Sequence, residues 1–293
     1  MDPILTWGLE IVRGAQSIAN PALTAVMRAL SETGTEFFFM AAIPLIYWCV
    51  DKRRGLRIGI LVFLSAALNA RLKLAFGQPR PYDLDPSVGM AKETSFGLPS
   101  GHAQNSAVFA LSSAPLFRAP WGLVFAIAFP LLVGLSRIYL GAHFPTDVLA
   151  GWAIGAVIVA LDYFFGDRIV HGVKGLRETL GLATVAVVAL TMNLLTNNDT
   201  SISGAFFGLA GAAIYADKNA PFSVAGSFWK RALRFIFGML TVTIVYAAPK
   251  LLLAELGAVP LLRFLRYVIL GSWIAVGAPW LFLKMGLAER EDQ

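Results

Sequence analysis

Long apolar runs, separated by short polar segments, dominate the chain. Runs of about 34–50, 55–76, 101–118, 121–141 and 145–165 are followed by 178–195, 203–216, 229–249 and 261–284. Most approach or exceed the roughly 20 residues that a helix needs to cross a bilayer. The 203–216 run is short and rich in Gly and Ala, which predicts a tilted, re-entrant or closely packed segment. Residues 3–31 read differently. Leu, Ile, Val and Trp7 alternate there with Glu10, Arg13, Gln16, Asn20 and Arg28, and Pro21 breaks the pattern. That mixture is too polar to span and predicts a pair of amphipathic interfacial helices. The expected fold is therefore all-α: a polytopic transmembrane helix bundle of about nine spans. Residues 1–33 are expected to form the interfacial helices, and 34–170 a core that carries the chemistry. Residues 171–293 would supply further membrane helices.

Composition supports this reading. Of 293 residues, 57% are hydrophobic and only 14% charged, against about 25% charged in soluble domains. The mean hydropathy is +0.67. Cys49 is the single cysteine, which excludes an intrachain disulfide and a cysteine-rich metal site. Acidic Asp2 and the lack of a basic segment before a short apolar core do not read as a cleaved signal peptide.

The formal charge of +6 is unevenly distributed. Nine spans put Lys52, Arg53, Arg54, Arg57, Arg118, Arg168, Lys174, Arg177, Lys218, Lys230, Arg231, Arg234, Lys284 and Arg290 on one side. Arg13, Arg28, Lys92, Lys250, Arg263 and Arg266 fall on the other. By the positive-inside rule the first side, with the C-terminus, is cytoplasmic. In a bacterium this describes a multi-pass inner-membrane protein. Charge so placed speaks for topology and lipid headgroups, not for nucleic acid. No motif specifies an oligomeric state.

Three polar clusters interrupt the apolar pattern on the extracytoplasmic side. The first is Lys73 with Arg80-Pro81. A lysine near a span end often only snorkels to the interface, and that reading suits Arg71. Two cations around a Gly-Gln-Pro turn also suit a dianionic phosphate, which Arg grips by two oxygens and Lys meets as a point charge. The second cluster, Pro99-Ser100-Gly101-His102, lies where a loop becomes a helix. Backbone N–H groups at a helix start form an anion site, and Gly101 admits close approach. Ser100 either donates to a ligand or caps the helix. The third cluster is Ser136-Arg137, His143 and Asp147. A charge in the last turns of a span is costly without a function or a partner. Asp147, four residues after His143, can take one imidazole N–H and leave the other nitrogen to attack. It can equally serve only the start of a helix.

Lys73-x6-Arg80-Pro81, Pro99-Ser100-Gly101-His102 and Ser136-Arg137-x5-His143-x3-Asp147 together resemble the three-part signature of the type 2 phosphatidic acid phosphatase superfamily, with no departure at any signature position. The resemblance covers about residues 34–166 and implies a six-helix-type phosphatase core. It also implies roles: His143 as nucleophile, Asp147 orienting it, and His102 as general acid and then base. Lys73, Arg80, Ser100, the Gly101 N–H and Arg137 would hold phosphate oxygens. No cofactor is implied, and no cluster of His, Asp and Glu accompanies the motifs as a metal site. The expected activity is metal-independent hydrolysis of a phosphomonoester or diphosphate through a phosphohistidine. The short 82–98 loop leaves little room for a lid over a polar substrate. That favours a membrane lipid: a lipid phosphate or an isoprenoid diphosphate such as undecaprenyl diphosphate. Hydrolysis of a soluble phosphate ester, as in the glucose-6-phosphatase branch, is the alternative in the same chemistry. A phosphate-binding transporter without catalysis is the alternative outside it.

Overall fold

The computed structural model describes residues 2–197, 199–219, 221–252 and 259–291. The side chains of Lys174, Lys218 and Lys250, counted above among the loop charges, lie outside the described residues. The described chain is helical: α1 (Pro3–Gln16), α2 (Pro21–Glu32), α3 (Glu36–Cys49), α4 (Lys52–Phe76), α5 (Pro81–Leu84), α6 (Gly101–Ser113), α7 (Trp121–Tyr139), α8 (Pro145–Gly175), α9 (Glu178–Leu195), α10 (Thr200–Asn219), α11 (Phe228–Leu252), α12 (Pro260–Ser272) and α13 (Ala278–Lys284). Among the described residues no strand is present, only an isolated bridge between Phe222 and Arg290.

Six stretches are long and apolar enough to cross a membrane: Lys52–Leu84, Trp121–Tyr139, Pro145–Val173, Glu178–Leu195, Phe228–Ala248 and Pro260–Lys284. The protein is an integral, multi-pass membrane protein. Apolar helices also occupy the other three predicted positions, but they are shorter. α3 has 14 residues and α6 has 13, about 20 Å each, and the apolar part of α10 is Thr200–Ala216. Ala114-Pro115 ends α6 early, because Pro115 starts a short 3-10 turn that the α-helix does not continue. The polar stretch between the predicted runs 145–165 and 178–195 is mostly helix, since α8 runs on to Gly175. That segment contains no proline, and Asp167 is engaged by Arg57 at 2.6 Å.

The chain divides into two compact units. One comprises Met1–Phe39 and Leu68–Tyr163, the other Met40–Ala67 and Phe164–Gln293.

In the first unit the N-terminal helices start as their sequence requires. Asp2 and Asn20 cap α1 and α2 by accepting from Ile4 N and Leu23 N, each with proline at the first helical position. Leu9 and Val12 of α1 are buried with Val88 and Phe144. An aromatic cluster of Phe38, Phe109, Phe125 and Phe129 lies beside α6 and α7. α8 comes close to α6 through Gly151 and Gly155, four residues apart on one face. A Cβ there would lie 2.6 Å from the Ser100 carbonyl oxygen and 2.7 Å from that of Gln104. Small residues at this spacing let two membrane helices approach backbone to backbone. The outward face of α7 is apolar, with Leu123, Ile127, Leu131 and Leu135 exposed, as lipid contact requires.

The second unit packs α10 on α12. Gly204 and Gly208 meet the carbonyls of Phe264 and Val268, so close packing accounts for the Gly- and Ala-rich run. A π-turn at Trp273–Gly277 joins α12 to α13. Its carbonyls at Ile274 and Ala275 accept from Trp48 Nε1 and Tyr47 Oη. Arg234, counted above as a cytoplasmic-side charge, is fully buried and donates to the carbonyls of Trp48, Ser223 and Ala225.

Candidate active site

All eight residues singled out in the sequence lie in the first unit, and a turn brings His143 among them. Gly141 ends α7 with φ +68°, the left-handed conformation that closes many helices. A Cβ at this position would sit 1.9 Å from the Val88 carbonyl oxygen, so only glycine fits. The amides of Met90 and Ala91 donate to Leu140 O and pin the 77–100 loop over the turn. His143 follows, 1% exposed, so the nucleophile candidate is buried.

Asp147, in the first turn of α8, is the hub. Its Oδ2 accepts from His143 Nδ1 at 3.1 Å and from the Phe144 amide at 3.0 Å. Its Oδ1 accepts from Gln78 Nε2 at 2.6 Å. A carboxylate on Nδ1 selects the tautomer with a lone pair on Nε2. Arg80 donates to that Nε2 at 3.1 Å, which fits an acceptor nitrogen. Burial, and then the charges of Arg80, Arg137, Lys73 and His102, hold the His143 pKa well below the usual imidazole value. The ring is therefore neutral and able to attack at neutral pH.

Arg80 is 2% exposed, and a buried guanidinium is tolerated only when its donors are satisfied. It donates to the carbonyls of Ser95, Phe96 and Ala142, to Ser95 Oγ and to His143. Lys73 reaches the carbonyls of Phe96 and Gly97. Arg137 donates to Ser31 Oγ at 2.6 Å and to the Glu93 carboxylate. Three cations thus converge on the turn that carries His143.

The helix start at Ser100 is attached to this group. Ser100 N donates to Asp147 O at 2.9 Å. Ser100 Oγ accepts the Ala103 amide at 3.4 Å, so it caps α6 while keeping its own proton to donate. Gly101 faces Asn69, whose side chain also donates to Pro99 O and Gln104 Oε1 and ties the end of α4 to α6. His102 is partly exposed on the first turn of α6, packed so closely against Gly34 that a Cβ there would meet its ring at 2.7 Å. Among the described residues, no three His, Cys, Asp or Glu side chains gather as a metal site.

Several contributors were not read from the sequence. Gln78 reads only as part of a turn, Ser31 falls in the expected interfacial arm, and Gly34 falls at the very start of the first predicted span. Glu93 was one acid in a loop. None carries a local signal, because each acts through a partner distant in the chain.

Lys73 is buried while Arg71 is exposed. On the expectation that Lys73 binds a substrate phosphate, Lys73→Ala would lower kcat/KM by at least about tenfold, since a charged hydrogen bond is worth some 1.5–3 kcal/mol. Arg71→Ala is expected to change it by less than about twofold. Steady-state kinetics on the two variants compare them directly, and the reverse order would mean the wrong cation was chosen.

A model of the PAP2 superfamily matches residues 54–168, and one described as its transmembrane extension matches residues 200–290. The second match falls in the segment where the sequence showed no motif. The chain is 33% identical to phosphatidylglycerophosphatase B of Bacillus subtilis over 172 residues, 54% of this chain and 83% of that one. It is 32% identical to the undecaprenyl-diphosphatase of Sulfolobus acidocaldarius, covering 48% and 69% respectively. A crystal structure of a transmembrane PAP2-type phosphatidylglycerolphosphate phosphatase from Bacillus subtilis aligns with a TM-score of 0.49 and 27% identity, over 58% of this chain and 89% of that one. The chain belongs to the PAP2 superfamily and is a membrane-embedded hydrolase of phosphate monoesters or diphosphates.

Proposed function

We propose that the protein removes the terminal phosphate of a lipid phosphate or isoprenoid diphosphate through a phosphohistidine, on the extracytoplasmic side of the membrane. The observation that carries this reading is the chain Gln78–Asp147–His143–Arg80, which leaves one imidazole nitrogen as a lone-pair donor beside a cation.

In the first step His143 Nε2 attacks phosphorus in line with the leaving oxygen. The P–O bond breaks as the N–P bond forms, and His102 gives its proton to the departing oxygen. In the second step His102 takes a proton from water, whose oxygen attacks phosphorus and breaks the N–P bond. Inorganic phosphate leaves and both rings return to their starting states. The equatorial oxygens gather charge in each step. Lys73, Arg80, Arg137, the Ser100 hydroxyl and the Gly101 N–H supply fixed positive ends for it. Residues 34–170 would form this catalytic core and 171–293 additional membrane helices. The bias of Lys and Arg toward the opposite loops supports an extracytoplasmic site and a cytoplasmic C-terminus. The two relatives named above carry lipid substrates in their names, which supports a lipid here.

The test is phosphate release by purified protein, with and without chelator, from a prenyl diphosphate, a glycerophospholipid phosphate and glucose phosphate. One of the lipids is expected to be turned over at least about tenfold faster than the sugar phosphate, with chelator changing the rate by less than about twofold. Faster release from glucose phosphate would overturn the lipid reading. Loss of activity on chelation would overturn the metal-free mechanism, and no release from any substrate would favour a non-catalytic binder.

A further inference from the structure

Arg137 is held in an unusual way, and the holder comes from outside the signature. The side chain is 3% exposed. Its Nη1 donates to Ser31 Oγ at 2.6 Å, and its Nη2 to Glu93 Oε1. Its Nε is buried without a partner among the described residues. Nη2 and Nε form one edge of the guanidinium, the pair of parallel donors that grips two oxygens of a phosphate or carboxylate. Nη1 lies at the far corner. The two partners differ in how firmly they are fixed. Ser31 is 4% exposed in the last turn of α2. The Glu93 side chain is 31% exposed, in a loop held by its backbone: Glu93 N donates to Tyr82 Oη, which donates back to Glu93 O. Glu93 can therefore swing its carboxylate toward water without moving its backbone, whereas Ser31 is buried on a helix.

We propose that Ser31 is a positioning residue that anchors Arg137 by its far corner, and that Glu93 is an exchangeable placeholder on the edge the phosphoryl group takes. An incoming phosphate oxygen replaces Glu93 as the acceptor of the Nη2 hydrogen bond, and a second oxygen accepts from the unpartnered Nε–H. The N-terminal helices thereby become part of the phosphate site. This inference rests on the phosphatase reading given under Proposed function.

The two assignments predict opposite effects on anion affinity. Inorganic phosphate and orthovanadate serve as probes, each measured as a competitive inhibitor of the purified, full-length enzyme. Ser31→Ala is expected to raise both inhibition constants by about tenfold and to lower kcat/KM similarly, because Arg137 loses its anchor. Ser31→Thr, which keeps the hydroxyl, is expected to stay within about threefold of wild type. Glu93→Gln is expected to lower the phosphate inhibition constant by at least about threefold, since a charged competitor has gone. If Ser31→Ala lowers only the unfolding temperature and leaves both constants unchanged, the anchor assignment is overturned. If Glu93→Gln weakens phosphate binding, the placeholder assignment is overturned. A wild-type protein that releases no phosphate from any substrate would instead overturn the phosphatase reading itself.

Discussion

Replacing His143 by alanine is expected to lower kcat by about 10⁴-fold or more, the scale on which removal of a covalent nucleophile acts. His102, the other imidazole of the site, has the proposed proton-transfer role, and among the other described site groups none offers an equivalent lone pair. The guanidinium groups of Arg80 and Arg137 only donate, Lys73 donates to carbonyls, and Asp147 is committed on both oxygens. The variant should still insert and fold, because the turn depends on Gly141 and on backbone bonds from Met90 and Ala91, not on the imidazole. Rapid quench with a phosphate-labelled lipid provides a second readout. Wild type is expected to show an acid-labile, base-stable phosphoenzyme, and the variant none. Substantial turnover by His143→Ala in folded, membrane-inserted protein would remove His143 from the nucleophile role.

Asp147 carries the second largest expected effect, and its geometry refines what a substitution removes. Oδ2 accepts two hydrogen bonds, from His143 and the Phe144 amide, while Oδ1 accepts one from Gln78. An asparagine can keep its oxygen on the first pair and turn its nitrogen toward Gln78, whose amide then flips to accept. The tautomer of His143 survives, and the negative charge beside a ring that would become cationic on the proposed phosphorylation does not. Asp147→Asn is expected to lower kcat by about 10²- to 10³-fold, the range of a lost preorganised electrostatic partner. Asp147→Ala also frees the imidazole to rotate and is expected to cost about tenfold more. Circular dichroism and thermal unfolding in detergent check that α8 remains intact. Unchanged kcat in Asp147→Asn would reduce the residue to a helix-start carboxylate.

Both predictions depend on contacts read at different distances along the chain. His143 and Asp147 are four residues apart, so a turn running into a helix start makes their contact visible in the sequence. The approach of Ser100 to Asp147 was not visible, because it follows from two glycines, Gly151 and Gly155, that let α8 and α6 touch. Likewise, Lys73 and Arg80 read as phosphate ligands from their type and spacing. That the Phe96 carbonyl accepts from both required the 77–100 loop to fold back over α7.

The apolar pattern alone was enough for an all-helical membrane protein and for nearly every helix position, because bilayer thickness is a local constraint written residue by residue, while the grouping of the three polar clusters came from their resemblance to the family signature. Tertiary structure decided the rest. It continued α8 through the polar stretch after residue 165, shortened α3 and α6 below a full crossing, and buried His143. It also set Ser31 on Arg137 across more than a hundred residues. Such contacts depend on which helix faces meet and how closely, and no local stretch of chain encodes that.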